Sequence, residues 1–192
     1  ECFDVFNLKP RKDIFYAMSH GVNRATLKKG KSDSRIYFLN SLIKKINGIN
    51  YDFYGFENKE PIWGDEFYNA LTNSKMGLNL SRGEPIKYYS SDRITQIIGN
   101  GLVTLIDEKT GYQDFFEKDE MVFYKNLNDL SEKISRISQD EKLRRKIGKN
   151  GRNKYLKYFN STLVADFILN KTFDIKSKTK HIWHNEWRNY YF

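Results

Sequence analysis

Short apolar runs alternate with amphipathic segments along most of this chain, and that alternation limits the fold more than any other feature. A short apolar run bounded by polar turns is typical of a buried strand, whereas apolar residues at helical spacing indicate a helix. Their alternation favours an α/β fold in which helices flank a mainly parallel sheet. The predicted strands are Asp13–Met18, Tyr51–Phe56, Met76–Leu80, Leu102–Ile106 and Met121–Tyr124. The predicted helices are Arg35–Ile46, Asp65–Thr72, a helix capped by Ser90 or Ser91 that runs through Ile98, Leu127–Ser138, Glu141–Tyr158 behind an Asp140 cap, and Thr162–Phe173 behind a Ser161 cap.

The length of 192 residues suits one domain with an added tail. We expect residues 1–12 to come from an inter-domain linker, residues 13–173 to form the domain, and residues 174–192 to form a linker and an aromatic tail. This tail is either a docking strip for another domain or a membrane surface, or a terminal segment packed on its own core. No stretch approaches the roughly 18 apolar residues that span a bilayer. An aromatic content of 16% excludes a disordered chain, and the single cysteine excludes a disulfide scaffold.

The formal net charge is +9, from 33 lysines and arginines against 24 acidic residues. A basic excess of this size favours anionic partners such as phosphates, nucleotides, nucleic acid or an anionic membrane face. The alternative is that the excess charge only forms a solvated surface. Nucleic-acid binding would need aromatic residues interleaved with basic ones on one surface, and the sequence shows no such register.

Two loops at the predicted carboxyl ends of the strands are unusual, and ligands of an open parallel sheet bind beside those ends. SHGVNR at residues 19–24 follows the first strand, and SRGEPIKYYSSDR at residues 81–93 follows the third strand and enters a helix. A helix N-terminus offers free amide groups and the positive end of the helix dipole, which suit a phosphate. Positive charge around it comes from Arg82, Lys87 and Arg93. The alternative is that the two serines only cap the helix.

A second loop motif favours a different function. Ala25–Ser32, ATLKKGKS, fits a loose P-loop pattern in which Ala replaces the first Gly, with Lys31 on the phosphates and the strand end VTLID on magnesium. A P-loop must leave a strand at once and enter a helix, but six residues separate Met18 from Ala25. A P-loop NTPase is therefore an alternative and not the main hypothesis.

The histidines do not indicate a metal site. His181 and His184 are spaced for one helix face, but no cysteine or carboxylate cluster surrounds them. His20, beside Gly21 at a strand end, is either a ligand-binding residue or a loop histidine hydrogen-bonded to backbone. The sequence therefore predicts no metal and no cofactor.

From residue 76 to residue 159 the order of features resembles a known family. A strand, MGLNL, is followed by a polar loop and then by DRITQIIGNGLVTLID, DFFEKDEMVFYKNLNDLSEKI and LRRKIGKNGRNKYLKYF. This string resembles the C-terminal domain of GT-B glycosyltransferases, and it is most similar to the glycosyl transferases group 1 type that includes spore-maturation-like bacterial proteins. A looser likeness, with Arg35 opening a helix and NYDFYGF forming a strand, extends the resemblance to about residues 13–170.

The resemblance implies a Rossmann-like domain that binds the nucleotide-sugar donor. Arg93 matches the family's arginine that opens the helix before a glycine turn, and Gly101 matches that glycine. Gln96 stands five positions before Gly101, where the family usually has a glutamate that holds the ribose. A glutamine can still accept a hydrogen bond from one hydroxyl, but without charge assistance. Glu84 and Asp92 echo the two-acid spacing of retaining relatives, although the register of Gly101 argues against Asp92 as the second acid.

The site residues that follow from the loops and the resemblance form two groups. The cations expected to stabilise the leaving diphosphate are Arg24, Lys87 and Arg93. The residues expected to bind the donor are His20, Gly21, Gly55, Phe56, Arg82, Glu84, Ser90, Ser91, Asp92 and Gln96. Among them, Gly55 and Phe56 would receive the base by backbone contact and stacking.

The resemblance implies metal-independent transfer of a hexosyl-type sugar from a nucleoside diphosphate to a glycan, lipid or protein acceptor, in surface polysaccharide biosynthesis. It also implies a missing N-terminal acceptor domain, so we expect this chain to be a fragment that is incomplete as an enzyme. The implied location is cytoplasmic, with peripheral contact to the inner membrane face as an option. The alternatives are a P-loop NTPase and a non-catalytic basic module that binds nucleic acid or an anionic surface.

Overall fold

The computed structural model describes residues 9–19, 33–176, 179 and 181–183. Its strands are β1 (Lys12–Ala17), β2 (Tyr51–Tyr54), β3 (Ser74–Asn79), β4 (Val103–Asp107) and β5 (Val122–Tyr124). Its helices are α1 (Ser34–Ile43), α2 (Gly64–Thr72), α3 (Asp92–Gly99), α4 (Leu127–Gln139), α5 (Glu141–Tyr158) and α6 (Ser161–Thr172). Two short 3-10 helices, Glu108–Thr110 and Tyr112–Asp114, follow β4.

The strands form one sheet in the order β2-β1-β3-β4-β5, and every pair is parallel. This confirms the predicted α/β fold with helices between parallel strands. The chain passes from β1 to β2 on one side of the sheet and returns to β3 on the other side of β1. Ligands of such sheets bind where the winding reverses, beside the carboxyl ends of the strands. The loops that follow β1 and β3 start at this point.

Helices cover both faces of the sheet, because alternate residues of a strand point to opposite faces. Tyr16 of β1 belongs to a hydrophobic cluster with Leu39 of α1 and Leu130 of α4. Its neighbour Phe15 belongs to a different cluster with Leu71 of α2. All five side chains are completely buried, as expected for a parallel sheet that is covered on both sides.

The predicted turn at Asn100-Gly101 is confirmed. Gly101 has a φ of 84°, in the left-handed region that glycine adopts without a steric penalty, and its amide donates to the Ile98 carbonyl at 3.0 Å. The Asn100 side chain donates to the Gln96 carbonyl at 2.8 Å and satisfies another carbonyl at the end of α3. The chain can therefore turn from α3 directly into β4.

Two local predictions need correction. Asn160, and not Ser161, caps α6, because its side chain accepts from the Leu163 amide at 3.0 Å and Ser161 is already helical. The loop after β4 contains the two 3-10 helices, which were not predicted because the sequence has no periodic apolar pattern there. The first is capped by Asp107, whose carboxylate accepts from the Lys109 amide at 2.8 Å. The predicted Asp140 cap of α5 is confirmed by its bond from the Leu143 amide at 2.8 Å.

The described part of the C-terminal tail packs against the domain. His181 is 4% exposed, and its Nε2 lies 3.2 Å from the Asp166 carboxylate of α6. The Trp183 ring lies 5.7 Å from the Phe167 ring and 5.4 Å from the Phe159 ring. The boundary at residue 174 stays a prediction. In the part of the chain that the structure describes, no helix is long and apolar enough to cross a membrane.

Candidate functional site

The N-terminus of α3 lies at the end of the loop that follows β3, and its side-chain cap is missing. Ser91 is the N-cap residue, as one predicted option had it, with extended backbone angles of φ −108° and ψ 158°. Its hydroxyl, however, donates to the Asn79 side chain at 3.2 Å and does not accept from an amide of the helix. The capping role predicted for this side chain is therefore wrong. The first amides of α3 keep their capacity to bind an acceptor from outside the helix.

Arg93, in the first turn of α3, is fixed at the carboxyl ends of the neighbouring strands β1 and β3. Its Nε donates to the Ala17 carbonyl at 3.2 Å, and its Nη1 donates to the Leu80 carbonyl at 3.0 Å. The guanidinium lies over the Tyr16 ring, 4.9 Å from the ring centre. Burial, and then the nearby charge of Arg35, lower the pKa of Arg93, but an arginine remains charged at neutral pH. The structure thus holds a cation at the rim of the sheet.

A second arginine enters the site from α1. The Arg35 side chain is 6% exposed, and its Nη2 and Nε contact the Asp33 carboxylate at 2.6 Å and 3.0 Å. The same carboxylate accepts from the Arg35 amide at 3.0 Å and so caps α1. Burial acts to lower the pKa of Arg35, but the hydrogen bonds that Arg35 donates to Asp33, together with the nearby Tyr16, outweigh it and the pKa is raised. Arg82, from the loop after β3, approaches the same carboxylate, with its Nε 3.7 Å from Oδ2.

Arg35 was not among the predicted site residues, although the resemblance named it as the start of a helix. The available signal was the acid two residues before it, because aspartate is a preferred residue at a helix N-cap. That signal indicates a cap and gives no reason to place the guanidinium beside Arg93.

The three arginines surround an open pocket of about 440 Å³. Its lining consists of Ser19, Arg35, Ser81, Arg82, Glu84, Ile86, Tyr89, Ser91 and Arg93. A smaller pocket of about 200 Å³ shares five of these residues and extends to Asn79, Asp107 and Tyr124 at the ends of β3, β4 and β5. Among the described residues, the carboxylates of Asp33 and Glu84 offset part of the charge of the three arginines at this pocket. This arrangement can bind an anion with several oxygens.

Lys87 does not line the pocket that the three arginines share. Its ammonium lies 3.8 Å from the Asp114 carboxylate and 4.6 Å from the centre of the Tyr88 ring, and the lining of the two pockets does not include it. The loop is held in this conformation at Tyr88, whose amide donates to the Thr110 carbonyl at 2.8 Å. Lys87 therefore faces the 3-10 helices after β4, and its catalytic role stays a prediction that requires a different side-chain conformation.

Phe56 is a core residue. Its ring is 2% exposed and lies 6.1 Å from the Phe53 ring, so it has no free face on which a base could stack. The stacking predicted for this side chain is not compatible with its burial. Gly55, at the end of β2, has a φ of 70°, and its backbone contact with a base stays a prediction.

The other predicted residues that the structure describes lie in the loop after β3 or on α3. Glu84 is exposed and lines both pockets, whereas Ser90 and Asp92 are exposed beside the α3 N-terminus but do not line the pocket. Gln96 is half-buried on α3, three residues after Arg93, and also lies outside the lining. The residues that fall outside the described part of the chain are His20, Gly21, Arg24 and the loop motif Ala25–Ser32.

Among the described residues, no three histidine, cysteine, aspartate or glutamate side chains are grouped so that they could hold a metal ion. Asp107, at the strand end that the P-loop interpretation assigned to magnesium, accepts from the Lys109 amide.

A protein-family model described as glycosyl transferase-like matches residues 35–170, which include the loop after β3, Arg93 and the helices as far as α6. The chain belongs to this family. The resemblance stated from the sequence is confirmed, and the Rossmann-like sheet is that of a GT-B glycosyltransferase domain.

Two solved structures show the same fold. A TarM variant from S. aureus, in complex with fondaparinux, alpha-GlcNAc-glycerol and UDP, is similar with a TM-score of 0.61 and 15% identity, over 85% of this chain and 36% of that chain. Sucrose-phosphate synthase from Thermosynechococcus elongatus is similar with a TM-score of 0.51 and 19% identity, over 80% of this chain and 38% of that chain. This glycosyltransferase domain therefore spans little more than a third of either protein. None of the curated protein sequences matches it.

Proposed function

We propose that this glycosyltransferase domain binds the nucleoside-diphosphate part of a sugar donor and forms the donor half of a longer enzyme. The observation that carries the proposal is the position of Arg93. It is anchored by two backbone carbonyls at the rim of the sheet, next to an α3 N-terminus that has no side-chain cap. Among the described residues no carboxylate pairs with this guanidinium, so its charge is available to a ligand.

The three arginines would have different roles in binding the diphosphate, because they have different partners. Arg93 and the exposed Arg82 would contact the phosphate oxygens, because a guanidinium can offer two parallel N–H donors to one anion. Arg35 is already engaged with Asp33 and would act through its charge. The free amides of α3 would supply further donors, since a helix N-terminus is a common phosphate-binding element.

The chemistry follows from where charge develops during glycosyl transfer. When the bond between the sugar and the diphosphate breaks, negative charge grows on the leaving phosphate oxygens. Donors that are already fixed in place stabilise that charge without reorganising, and each can contribute about 3 kcal/mol. The arginines of this chain can carry out that task, which is the basis for proposing metal-independent transfer.

The contacts beyond the diphosphate are proposed from the resemblance. Gln96 would hold the ribose, Glu84 would accept from a sugar hydroxyl, and the backbone at Gly55 would meet the base. UDP is the first nucleoside diphosphate to test, because the TarM complex contains it. A hexosyl donor, an acceptor in surface polysaccharide assembly, and an N-terminal acceptor domain complete the proposal.

The test is a panel of nucleotides measured by isothermal titration calorimetry and by thermal shift. UDP or GDP should bind and raise the melting temperature, because a ligand that binds only the folded state stabilises it by mass action. EDTA should leave this effect intact. Arg93→Ala should weaken binding by at least about tenfold, since a charge-assisted contact is worth about 1.5–3 kcal/mol. Arg136→Ala, at an exposed position on α4 outside the pocket, is the matched control and should bind like the unmodified chain.

Two results would contradict the proposal. One is an unchanged melting curve with every nucleoside diphosphate at millimolar concentration; the other is unchanged binding in Arg93→Ala. A magnesium-dependent effect of ATP that Lys31→Ala abolishes would favour the P-loop alternative. Binding to random DNA that falls steeply with salt, without preference for a nucleotide base, would favour the basic module.

A further inference from the structure

Tyr16 lies between the two arginines that enter the pocket from opposite sides. It is on β1, an interior strand of the sheet, and is 0% exposed. Its hydroxyl donates to the Leu80 carbonyl at 3.1 Å and accepts from Arg35 Nη1 at 3.4 Å. Its ring supports the Arg93 guanidinium at 4.9 Å. One neutral side chain therefore contacts both cations through different groups.

The two arginines carry like charges that repel each other, and the Asp33 carboxylate pairs directly with Arg35 alone of the two. The charge of Arg35 is one of the causes that lower the pKa of Arg93. A carboxylate between them would neutralise the charge that a phosphate has to meet, whereas an aliphatic side chain would offer neither a hydrogen-bond acceptor nor a π face. A phenol offers both and adds no charge. Burial raises the pKa of Tyr16, so the hydroxyl keeps its proton and continues to donate to Leu80.

The Leu80 carbonyl joins the two halves of this arrangement. It accepts from the Tyr16 hydroxyl at 3.1 Å and from Arg93 Nη1 at 3.0 Å, which accounts for both of its lone pairs. Leu80 directly follows β3 and opens the loop that carries Arg82. The position of Tyr16 is therefore linked to both arginines and to the start of the loop that lines the pocket.

We propose that Tyr16 is a positioning residue that holds Arg35 with its hydroxyl and Arg93 with its ring, so that both guanidiniums face one anion. This proposal rests on the proposed function of the pocket. Tyr16 acts only through the arginines, because it is fully buried and does not line the pocket.

Two substitutions separate the two contacts. Tyr16→Phe keeps the ring and removes the hydroxyl, so UDP should bind about fivefold more weakly, which is the effect expected when Arg35 loses its hydrogen bond to Tyr16. Tyr16→Leu also removes the ring, and the loss should reach about 30-fold when the cation–π contact is added. In an Arg93→Ala background, Tyr16→Leu should cause only the smaller loss that comes through Arg35, because contacting residues are not additive. Ile134→Val, at a buried position on α4 outside both pockets, should lower stability without changing the UDP affinity.

A second measurement needs no nucleotide. Hydrogen exchange at Arg93 Nε–H, which donates to the Ala17 carbonyl, is followed by nuclear magnetic resonance in the ligand-free chain. Exchange should stay slow in Tyr16→Phe and accelerate at least about tenfold in Tyr16→Leu, because the ring no longer supports the guanidinium. If UDP, GDP and inorganic pyrophosphate all fail to bind the unmodified chain while this acceleration is seen, the proposed function fails and the positioning role stands.

Any one of three results overturns the positioning role. One is an unchanged exchange rate in a folded Tyr16→Leu. Another is a nucleotide affinity of Tyr16→Phe within twofold of the unmodified chain, which decides the matter even if Tyr16→Leu does not fold. Full additivity of Tyr16→Leu with Arg93→Ala would also overturn it, since a purely structural residue gives that result.

Discussion

At the scale of single residues, the site depends on how a buried ion pair is satisfied. Asp33 is 1% exposed and Arg35 is 6% exposed, so neither charge is solvated. The Arg35 guanidinium and the Arg35 amide both donate to the Asp33 carboxylate, and the guanidinium also donates to the Tyr16 hydroxyl. These polar contacts replace contacts with water. A buried pair of this kind is costly to break because the remaining charge has no partner.

Asp33→Asn should therefore lower the free energy of unfolding by about 3–5 kcal/mol. The asparagine can still cap α1, so the loss would come from the uncompensated guanidinium and not from the cap. Urea denaturation measures it. Asp140→Asn on α5 is the matched control, because Asp140 is an exposed cap and this change should cost less than about 1 kcal/mol. Equal losses in the two variants would show that the Asp33–Arg35 pair does not stabilise the fold.

At the scale of elements, close approach between backbones determines how α5 packs. α5 contacts both α3 and the segment before β5. Arg152 Nε donates to the carbonyl of Gly99, the last residue of α3, at 3.0 Å. Lys154 pairs with Glu120, in the segment before β5, at 2.7 Å. Gly151 is buried in this contact, and a Cβ there would collide with the backbone oxygen of Glu120. α5 can therefore approach the backbone of Glu120 this closely only with a glycine at position 151.

Gly151→Ala should therefore destabilise the protein by about 1–3 kcal/mol, although alanine is the better helix former by about 1 kcal/mol. The collision outweighs the propensity because a backbone carbonyl cannot move aside as a flexible side chain can. Asn153→Ala, at an exposed position two residues further along α5, should be neutral or slightly stabilising. A rise in urea midpoint for both variants would contradict the packing argument.

At the scale of the whole molecule, buried phenols should limit stability at high pH. Burial is the largest cause that raises the pKa of Tyr16, Tyr54, Tyr112 and Tyr124, and for Tyr54 the value reaches about 12. In the unfolded chain these groups ionise near pH ~10. Above that pH the unfolded state binds fewer protons than the folded state, so the free energy of unfolding falls as the pH rises.

We expect this loss to start near pH ~10 and to continue towards pH ~12. Urea midpoints over that range measure it, and the ultraviolet absorbance of phenolate reports the ionisation. Tyr124→Phe removes one of the buried phenols and should make the decline shallower. Phenolate absorbance from these buried tyrosines near pH ~10, together with unchanged near-ultraviolet circular dichroism, would contradict the expectation.

The fold was largely predictable because its signals are local. The apolar runs of the five strands, the cap at Asp140 and the turn at Gly101 each depend on a few neighbouring residues. The 3-10 helices after β4 and the cap at Asn160 were missed, since short 3-10 segments have no periodic pattern and adjacent Asn and Ser residues are both good caps.

The site was predictable only in part. Arg82 and Arg93 were identified from their places in the loop and helix after β3, but Arg35 was not, and Lys87 and Phe56 turn away from the pocket. The direction of a loop side chain depends on partners that lie far along the sequence, such as Asp114 for Lys87 and Phe53 for the burial of Phe56.

The sequence by itself determined the α/β class, the family and the presence of arginines at a helix start, because these follow from local patterns and their order. Only the tertiary structure decided which cations share a pocket. Tyr16, Arg35 and Arg93 come together because the sheet order puts β1 beside β3, and because α1 and α3 begin near the edge where both strands end. Such a meeting depends on packing between segments that are distant in the chain, and no local pattern encodes it.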